Sequence, residues 1–590
     1  MPVTFSTLVE LLEQSVERFG PRELFGTKSA GAWHFITVAQ FQEQVSACRA
    51  GMAALGIGPG DRVGMVANNR LEWAVAAYAS YGLRAAYVPM YEAQNPEEWA
   101  FICQDAGVKL VFGSTNAVFE KLIAARGAMP SVEHVIGLEL PASDAKSYAR
   151  LMEVGRAAAR PSEHPLPDEP AAFIYTSGTT GQPKGAILTH KNLVANVKSS
   201  LAVFPITVED RSLAFLSWAH AFGQTAELHV MVSVGCSMAI NDEVPNIVAN
   251  LAEVKPTILV ALPRIFNRIY DGVNRQMAER PKPIRALFQA GIRVSAKKKR
   301  GEALSTWEGI TLALADRLIF AKVRGRFGGR LRFCVSGSAA LSHEVAEFVD
   351  ALGIDVFEGY GLTEASPVVS ANCPGHARLG TVGRPLPGVR VVIDRSLGND
   401  DQNGEIIVYG ENVMRGYHNR PEEQAKMLMA DGGLRTGDLG FLDADGYLHI
   451  TGRIKEQYKL ENGKYVVPSP LEEELKLSPY ILNVVLSGAN KPFNVALVVL
   501  NEDGLKRWAR DTQQDISNPA ESAAVKRLIE TELEARSKSF KGYEKPKAFL
   551  LIREDFTVEN GMLTPSLKPR RQRILERYGA QLEALYARAP

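Results

Sequence analysis

The sequence predicts an α/β protein: a large N-terminal domain of mixed sheets packed with helices, followed by a small α+β domain. Three observations carry this. Short apolar runs alternate with helix-period stretches from Arg62 to Leu138, the pattern of a sheet covered by helices. The run Ala171–Tyr175 leads into a stretch of glycines and hydroxyls that reads as a loop at the end of a buried strand. The 590-residue chain is also too long for one core, and beyond Lys455 its pattern turns to short strands and a charged helix.

Residues 5–58 read as helical. Leu8, Leu11, Leu12, Val16 and Phe19 keep helical spacing, and Phe41–Leu55 repeats it before Gly56 and Pro59-Gly60. Arg62–Ala67 reads as a strand, Trp73–Tyr81 as a helix, and Ala85–Met90 as an apolar run. Further strands are expected at Lys109–Phe112 and Val135–Leu138. Residues 161–170, with four prolines and several charges, read as a linker. Thr189–Leu193 opens a helix with a Thr or Asn cap. Val335–Leu341 and Glu358–Glu364 each read as a strand ending in a glycine-bearing turn, and Asp445-Gly446 as a hairpin turn. Strands are expected at Tyr480–Leu486, Asn494–Leu500 and Ala548–Ile552, with a charged helix over 520–540.

Composition excludes several classes. The chain is 46% hydrophobic and 23% charged with a formal net charge of +1, which argues against a dedicated nucleic-acid binder. Its five cysteines are scattered, without the spacing of a zinc site or a disulfide framework, which fits a reducing cytoplasm. The start lacks a signal-peptide pattern, and no apolar run of about 18 residues predicts a membrane span.

Tyr175–Gly185 reads Tyr-Thr-Ser-Gly-Thr-Thr-Gly-Gln-Pro-Lys-Gly. Glycines let the backbone approach a phosphate closely, hydroxyls and amides donate, and Lys184 adds a positive charge. It is not a Walker A loop, because Pro183 precedes Lys184 and Gly185 follows it. This loop resembles the signature of the adenylate-forming superfamily, which includes acyl-CoA synthetases, luciferases and the adenylation domains of peptide synthetases. Further segments follow in that superfamily's order: Ser217–Gly223, Gly337–Leu341, Glu358–Glu364, Leu434–Asp438, Thr451–Glu456 and Gly561–Arg570. Leu262–Tyr270 is similar to a segment of long-chain acyl-CoA synthetases. The resemblance spans roughly residues 10 to 580.

The resemblance implies a luciferase-like fold, with an adenylation domain over residues 1–453, a hinge over 454–457 centred on Lys455, and a mobile domain over 458–590. It implies that Thr176, Ser177, Gly178, Thr179, Thr180, Gly181 and Lys184 bind phosphates. Gly337, Ser338 and Ala339 would line adenine, and Tyr360, between Gly359 and Gly361, would stack on it. Thr363 would approach the phosphate and the acyl carboxylate, and Glu364, with Thr176, would hold Mg2+. Asp438 and Arg453 would bind ribose, and Trp218, His220, Phe222 and Gly223 would form the acyl pocket. Lys568, Lys184, His220 and Thr363 are the expected catalytic set. Lys459–Lys464 would face the thiol substrate after domain rotation.

The implied activity is ATP-dependent formation of an acyl-adenylate from a long-chain fatty acid, then transfer to coenzyme A. Alternatives are a fatty acyl-AMP ligase or a synthetase loading an acyl carrier protein, and, from another class, a non-catalytic nucleotide-binding or membrane-scaffold protein. Keeping Lys184, Glu364, Asp438, Arg453 and Lys568 together disfavours the last. Oligomeric state, a homodimer included, stays open. Residues 282–332 carry thirteen Lys and Arg against three acids. There Leu312, Ala315, Ile319 and Val323 share a helical face, so a basic amphipathic helix on the inner face of a membrane is weighed equally with a solvated insertion.

Overall fold

A computed structural model describes residues 4–176, 183–339, 341–397, 402–564 and 568–587. Among them, the strand read at Ala171–Tyr175 is part of a seven-stranded sheet. In order across it run Gly416–Tyr417, Lys184–Thr189, Pro170–Thr176, Ala86–Met90, Arg62–Val66, Leu110–Gly113 and His134–Gly137. The last five are parallel neighbours, as helical crossovers require. The glycine-rich loop does not lead from a strand into a helix. It joins Pro170–Thr176 to Lys184–Thr189 as an antiparallel pair in which Thr176 faces Lys184. The next helix, His190–Val203, begins one strand later, where Thr189 and Asn192 cap each other's backbone amides, an arrangement worth about 1 kcal/mol.

A second sheet joins Ile258–Ala261, Phe333–Ser336 and Val356–Gly361 in parallel, followed by Val368–Ala371 and Arg384–Pro385. A third, antiparallel sheet is formed by Arg390–Asp394, Gly404–Tyr409, Leu434–Leu442 and Leu448–Arg453. The N-terminal helices Leu8–Phe19 and Val38–Ala54 form as predicted. Between them lies a hairpin, Glu23–Ser29 with Ala32–Thr37, that the helical reading of 5–58 missed. Its second strand is mostly half-exposed, so its apolar alternation is weak.

The C-terminal sheet pairs Ile481–Ser487, Asn494–Leu500 and Pro546–Ile552. Asn494–Leu500 is apolar on both faces because both are covered. Ala496, Val498 and Leu500 pack with Leu471, Val525 and Ile529 of helices on one side. Val495, Leu497 and Val499 pack with Ile574, Tyr578 and Leu582 of the helix Arg571–Tyr586 on the other.

The basic region folds into helices Lys282–Lys299 and Thr306–Ala315, the latter continuing through a π-turn at Asp316–Phe320 into Ala321–Gly325. The face read as membrane-facing points inward: Ala315, Ile319 and Val323 are buried in the core with Phe288, and Leu312 packs against them. An apolar helical face is satisfied by whichever neighbour covers it, and here that neighbour is protein. Among the described residues no helix is long and apolar enough to cross a membrane.

Candidate active site

The sheet ends converge on one cleft. Tyr360, near the end of Val356–Gly361, donates its hydroxyl proton to Asp438 Oδ2 at 2.6 Å. Asp438 is cross-strand partner to Arg453, whose Nε lies 2.6 Å from Asp438 Oδ1. Burial, followed by the Asp438 charge, raises the Tyr360 pKa well above the phenolic range, so its hydroxyl stays a donor. The ring is thereby fixed at the mouth of a cavity. Gly337 permits this packing, since a Cβ there would stand 3.0 Å from the Phe222 ring. Beside it Ser338 holds a left-handed φ of +70°, which costs on the order of 1 kcal/mol.

The cavity runs inward from Gly337, Ser338, Gly359, Tyr360 and Gly361. It passes His220 and Phe222 to an apolar end at Phe204, Ile206 and Phe333. There Phe204 and Phe333 stack with centroids 5.8 Å apart, and Phe357 lies 5.9 Å from Phe333. Trp218 and Gly223, expected in the acyl pocket, are not in its wall. Trp218 is fully buried, packs edge-on against Trp73 and Phe25, and donates to Glu227 Oε2 at 3.1 Å. A Cβ on Gly223 would meet the Ser217 carbonyl at 2.4 Å, so that glycine serves the turn. Leu262–Tyr270 likewise contributes nothing to the wall, and Phe266 is buried in a separate core. His220 Nδ1 accepts the Phe222 N–H at 3.2 Å, which puts any ring proton on Nε2. Burial, with Lys568 nearby, lowers its pKa to about 4, so the ring is neutral at pH 7.

At the start of the strand that follows the glycine-rich loop, Lys184 forms an ion pair with Glu423 and lies 5.9 Å over the Tyr417 ring. Tyr417 in turn donates to Glu364 Oε1 at 2.5 Å. The turn Thr363–Ala365 buries Thr363 and leaves Glu364 partly exposed. Ser177, Gly178, Thr179, Thr180 and Gly181 lie outside the described residues. Neither Glu423 nor Tyr417 was legible beforehand, because each reaches the loop from more than 230 positions away, on the helix Pro421–Met427 and the edge strand Gly416–Tyr417.

Lys568 enters the cleft from the C-terminal domain. Its backbone N–H donates to Thr564 Oγ1 at 3.0 Å, and its carbonyl accepts the Thr564 N–H at 2.8 Å. The residue is exposed to solvent within a cleft that protein surrounds. The surrounding protein and Arg453 lower its pKa, while Asp438, Glu456 and Glu364 pull the other way. Among the described residues, contacts that hold the C-terminal domain in this pose include Arg570 donating to Glu98 at 3.1 Å, Ser342 donating to Glu474 at 3.2 Å and Arg536 paired with Glu344 at 3.8 Å, while Leu477 is buried in the core with Leu341 and Phe348. Lys455 is exposed in the turn between Leu448–Arg453 and Tyr458–Lys459, and 459–464 forms the tip of the hairpin that follows.

A family model described as AMP-binding enzyme matches residues 12–418, and one described as AMP-binding enzyme C-terminal domain matches residues 455–590. The chain belongs to the AMP-binding enzyme family. This AMP-binding enzyme is 32% identical over 577 residues to the long-chain-fatty-acid–CoA ligase FadD15 of Mycobacterium bovis, covering 94% of this chain and 93% of that one. It is 32% identical to the peroxisomal long chain acyl-CoA synthetase 6 of Arabidopsis thaliana, covering 98% and 86%. Its fold matches the adenylation domain of a carboxylate reductase from Mycobacterium chelonae, with a TM-score of 0.78 at 24% identity over 98% of this chain and 91% of that one. The AMP-binding enzyme therefore has the expected acyl-CoA synthetase/luciferase-like architecture.

Proposed function

We propose that this chain activates a long-chain fatty acid with ATP and passes the acyl group to coenzyme A, releasing AMP and pyrophosphate. One observation carries the reading: a single cavity is polar and glycine-rich at the Tyr360 end and apolar to its floor at Phe204 and Phe333. The lining pairs groups that can meet a carboxylate with aromatic and aliphatic side chains that can meet a hydrocarbon tail. The names of the relatives support the same acid and the same acceptor.

A fatty carboxylate ionises near pH 4.3, like Glu, and needs no general base at pH 7. The barrier is its repulsion from the triphosphate, so the site must supply cations and donors around the α-phosphorus. Lys568 supplies one cation from the C-terminal domain, and Lys184 exchanges Glu423 for departing phosphate oxygens. Tyr360 stacks on adenine beside Gly337–Ala339, while Asp438 accepts from the ribose hydroxyls and Arg453 holds Asp438. His220, neutral and carrying its proton on Nε2, donates toward the acyl carboxylate, with Thr363 on the other side.

The donor set fits magnesium. Among the described residues no three His, Cys, Asp or Glu cluster into a metal cage, and Mg2+ is usually held by one or two protein oxygens plus substrate phosphates. Glu364, oriented by Tyr417, and Thr176, opposite Lys184, are the oxygens that would hold it. Held there, Mg2+ would supply positive charge that offsets the negative charge of the phosphates.

For the second step the C-terminal domain turns about Lys455, withdrawing Lys568 and bringing in 459–464. The polar contacts Arg570–Glu98, Ser342–Glu474 and Arg536–Glu344 must break, at about 0–1 kcal/mol for each partly exposed one, and Leu477 must leave its packing. All five cysteines are free and buried, which suits a cytoplasmic setting.

The test is AMP release from palmitate, ATP and Mg2+, with and without coenzyme A, following acyl-CoA by mass. Acyl-CoA formed only with the thiol present is the expected result. Adenylate that ignores coenzyme A would instead indicate an acyl-AMP or carrier-protein ligase, and no adenylate with any chain length would overturn the reading.

A further inference from the structure

The helix that turns Ala315, Ile319 and Val323 inward carries a second apolar face. Trp307 is 79% exposed, and Ile310, Leu314 and Leu318 are 46%, 47% and 45% exposed. Their spacing of three, four and four residues lays them in one stripe along Thr306–Ala315 and the π-turn. Four large apolar side chains in a row at that exposure are not the scattered apolar surface every protein shows.

The charges beside the stripe say what it fits. Arg317, Lys322 and Arg326 follow on the same helical run, are exposed, and have no ion pair among the described residues. The acids of the run are occupied. Glu308 pairs with Lys297 at 2.9 Å, and Asp316 with Arg324 at 2.7 Å. The surface thus combines apolar side chains, a tryptophan at one end and unpaired cations. Nucleic acid would use the cations and leave the apolar row wet. A stable homodimer buries about 800 Å² per partner, more than a stripe one helix wide offers.

We propose that this stripe docks the protein on an anionic lipid bilayer, with Trp307, Ile310, Leu314 and Leu318 in the headgroup–acyl boundary and Arg317, Lys322 and Arg326 against lipid phosphates. The helix lies in the interface and does not span it. Each cation near an anionic surface contributes about fivefold to affinity, and the charge-dependent part weakens with salt. A membrane as the source of the acid rests on the ligase reading above. The docking itself does not, because it is read without turnover.

The experiment is co-sedimentation of the full-length protein with vesicles of phosphatidylcholine containing phosphatidylglycerol, and with vesicles of phosphatidylcholine alone. The expected result is binding to the anionic vesicles that falls by about tenfold or more in Trp307→Ser/Leu314→Ser and in Arg317→Glu/Lys322→Glu. A second readout guards against misfolded variants: lipids brominated in the acyl chain should quench wild-type fluorescence, and Trp307→Phe should remove that quenching. Absence of binding, equal binding by the variants, or quenching that survives in Trp307→Phe would overturn the proposal. So would a wild-type dimer that Trp307→Ser/Leu314→Ser converts to monomer, since the stripe would then belong to a second copy of the chain.

Discussion

Asp438 is gripped from two sides. The Tyr360 hydroxyl donates to one carboxylate oxygen at 2.6 Å, and Arg453 Nε lies 2.6 Å from the other. The pair sits where two sheets meet, so one carboxylate orders both the aromatic face and the polar edge that the proposed reading assigns to a purine and a ribose. Asp438→Ala removes both grips and should raise KM for ATP by about 10- to 100-fold, the range for hydrogen bonds to a charged group. Tyr360→Phe keeps the ring and should cost less. Steady-state kinetics in ATP checks both, and equal effects would mean that Tyr360 acts through its hydroxyl alone.

Lys568 is the one residue of the C-terminal domain given a role in the first chemical step. Lys568→Ala should lower ATP–pyrophosphate exchange by about 100-fold or more and spare conversion of synthetic acyl-adenylate plus coenzyme A. Equal loss of both half-reactions would remove the division of labour argued for it.

Lys455 sits in an exposed turn with no packing to lose. Lys455→Pro restricts the backbone there and should spare adenylate formation while slowing thioester formation by about tenfold or more. Unimpaired thioester formation would place the pivot elsewhere.

The stacked Phe204 and Phe333, backed by Phe357, close the apolar end of the cavity. Phe333→Ala should raise kcat/KM for longer acids relative to shorter ones. Each methylene gained is worth about 1–3 kcal/mol at most. A series of saturated fatty acids of increasing chain length reads the effect. An unchanged ratio would mean that the floor lies elsewhere.

Glu227 is fully buried beneath the cavity, and burial raises its pKa well above 4.5, with only the Trp218 hydrogen bond opposing. The sign follows from linkage. Above about pH 4.5 the unfolded chain loses this proton and the folded chain keeps it, so the group favours unfolding increasingly as pH rises. Glu227→Gln has no proton to lose and still accepts from Trp218. Its melting temperature should therefore exceed wild type at pH 8 and converge with it near pH 4.5. A variant whose melting temperature falls below wild type at pH 8 and converges with it at acid pH would show that Glu227 is ionised in the fold.

Much of the architecture was legible in the chain because it is local. Thr189 with Asn192 announces a helix start, Val495–Leu500 is apolar throughout because it lies between two layers, and Asp445-Gly446 marks a turn. The hairpin at 23–37 escaped because its second strand is half-exposed and its alternation is blurred. Motif order placed Tyr360, Asp438, Arg453 and Lys568 in one cleft, but nothing local could supply Tyr417 for Glu364 or Glu423 for Lys184. Those partners come from distant elements, and pairing at that range leaves no periodic trace.

The sequence by itself determined the family, the order of the elements and the residues that carry charge to the cleft, since these are written in short motifs and in side-chain period. Only the tertiary structure decided that Trp218 faces the core while His220 and Phe222 face the cavity. It also decided which apolar face of the helix after Thr306 is covered. Period reveals that a face is apolar, whereas contact decides which face meets protein. With Leu312, Ala315, Ile319 and Val323 packed inward, Trp307, Ile310, Leu314 and Leu318 are left to the solvent side.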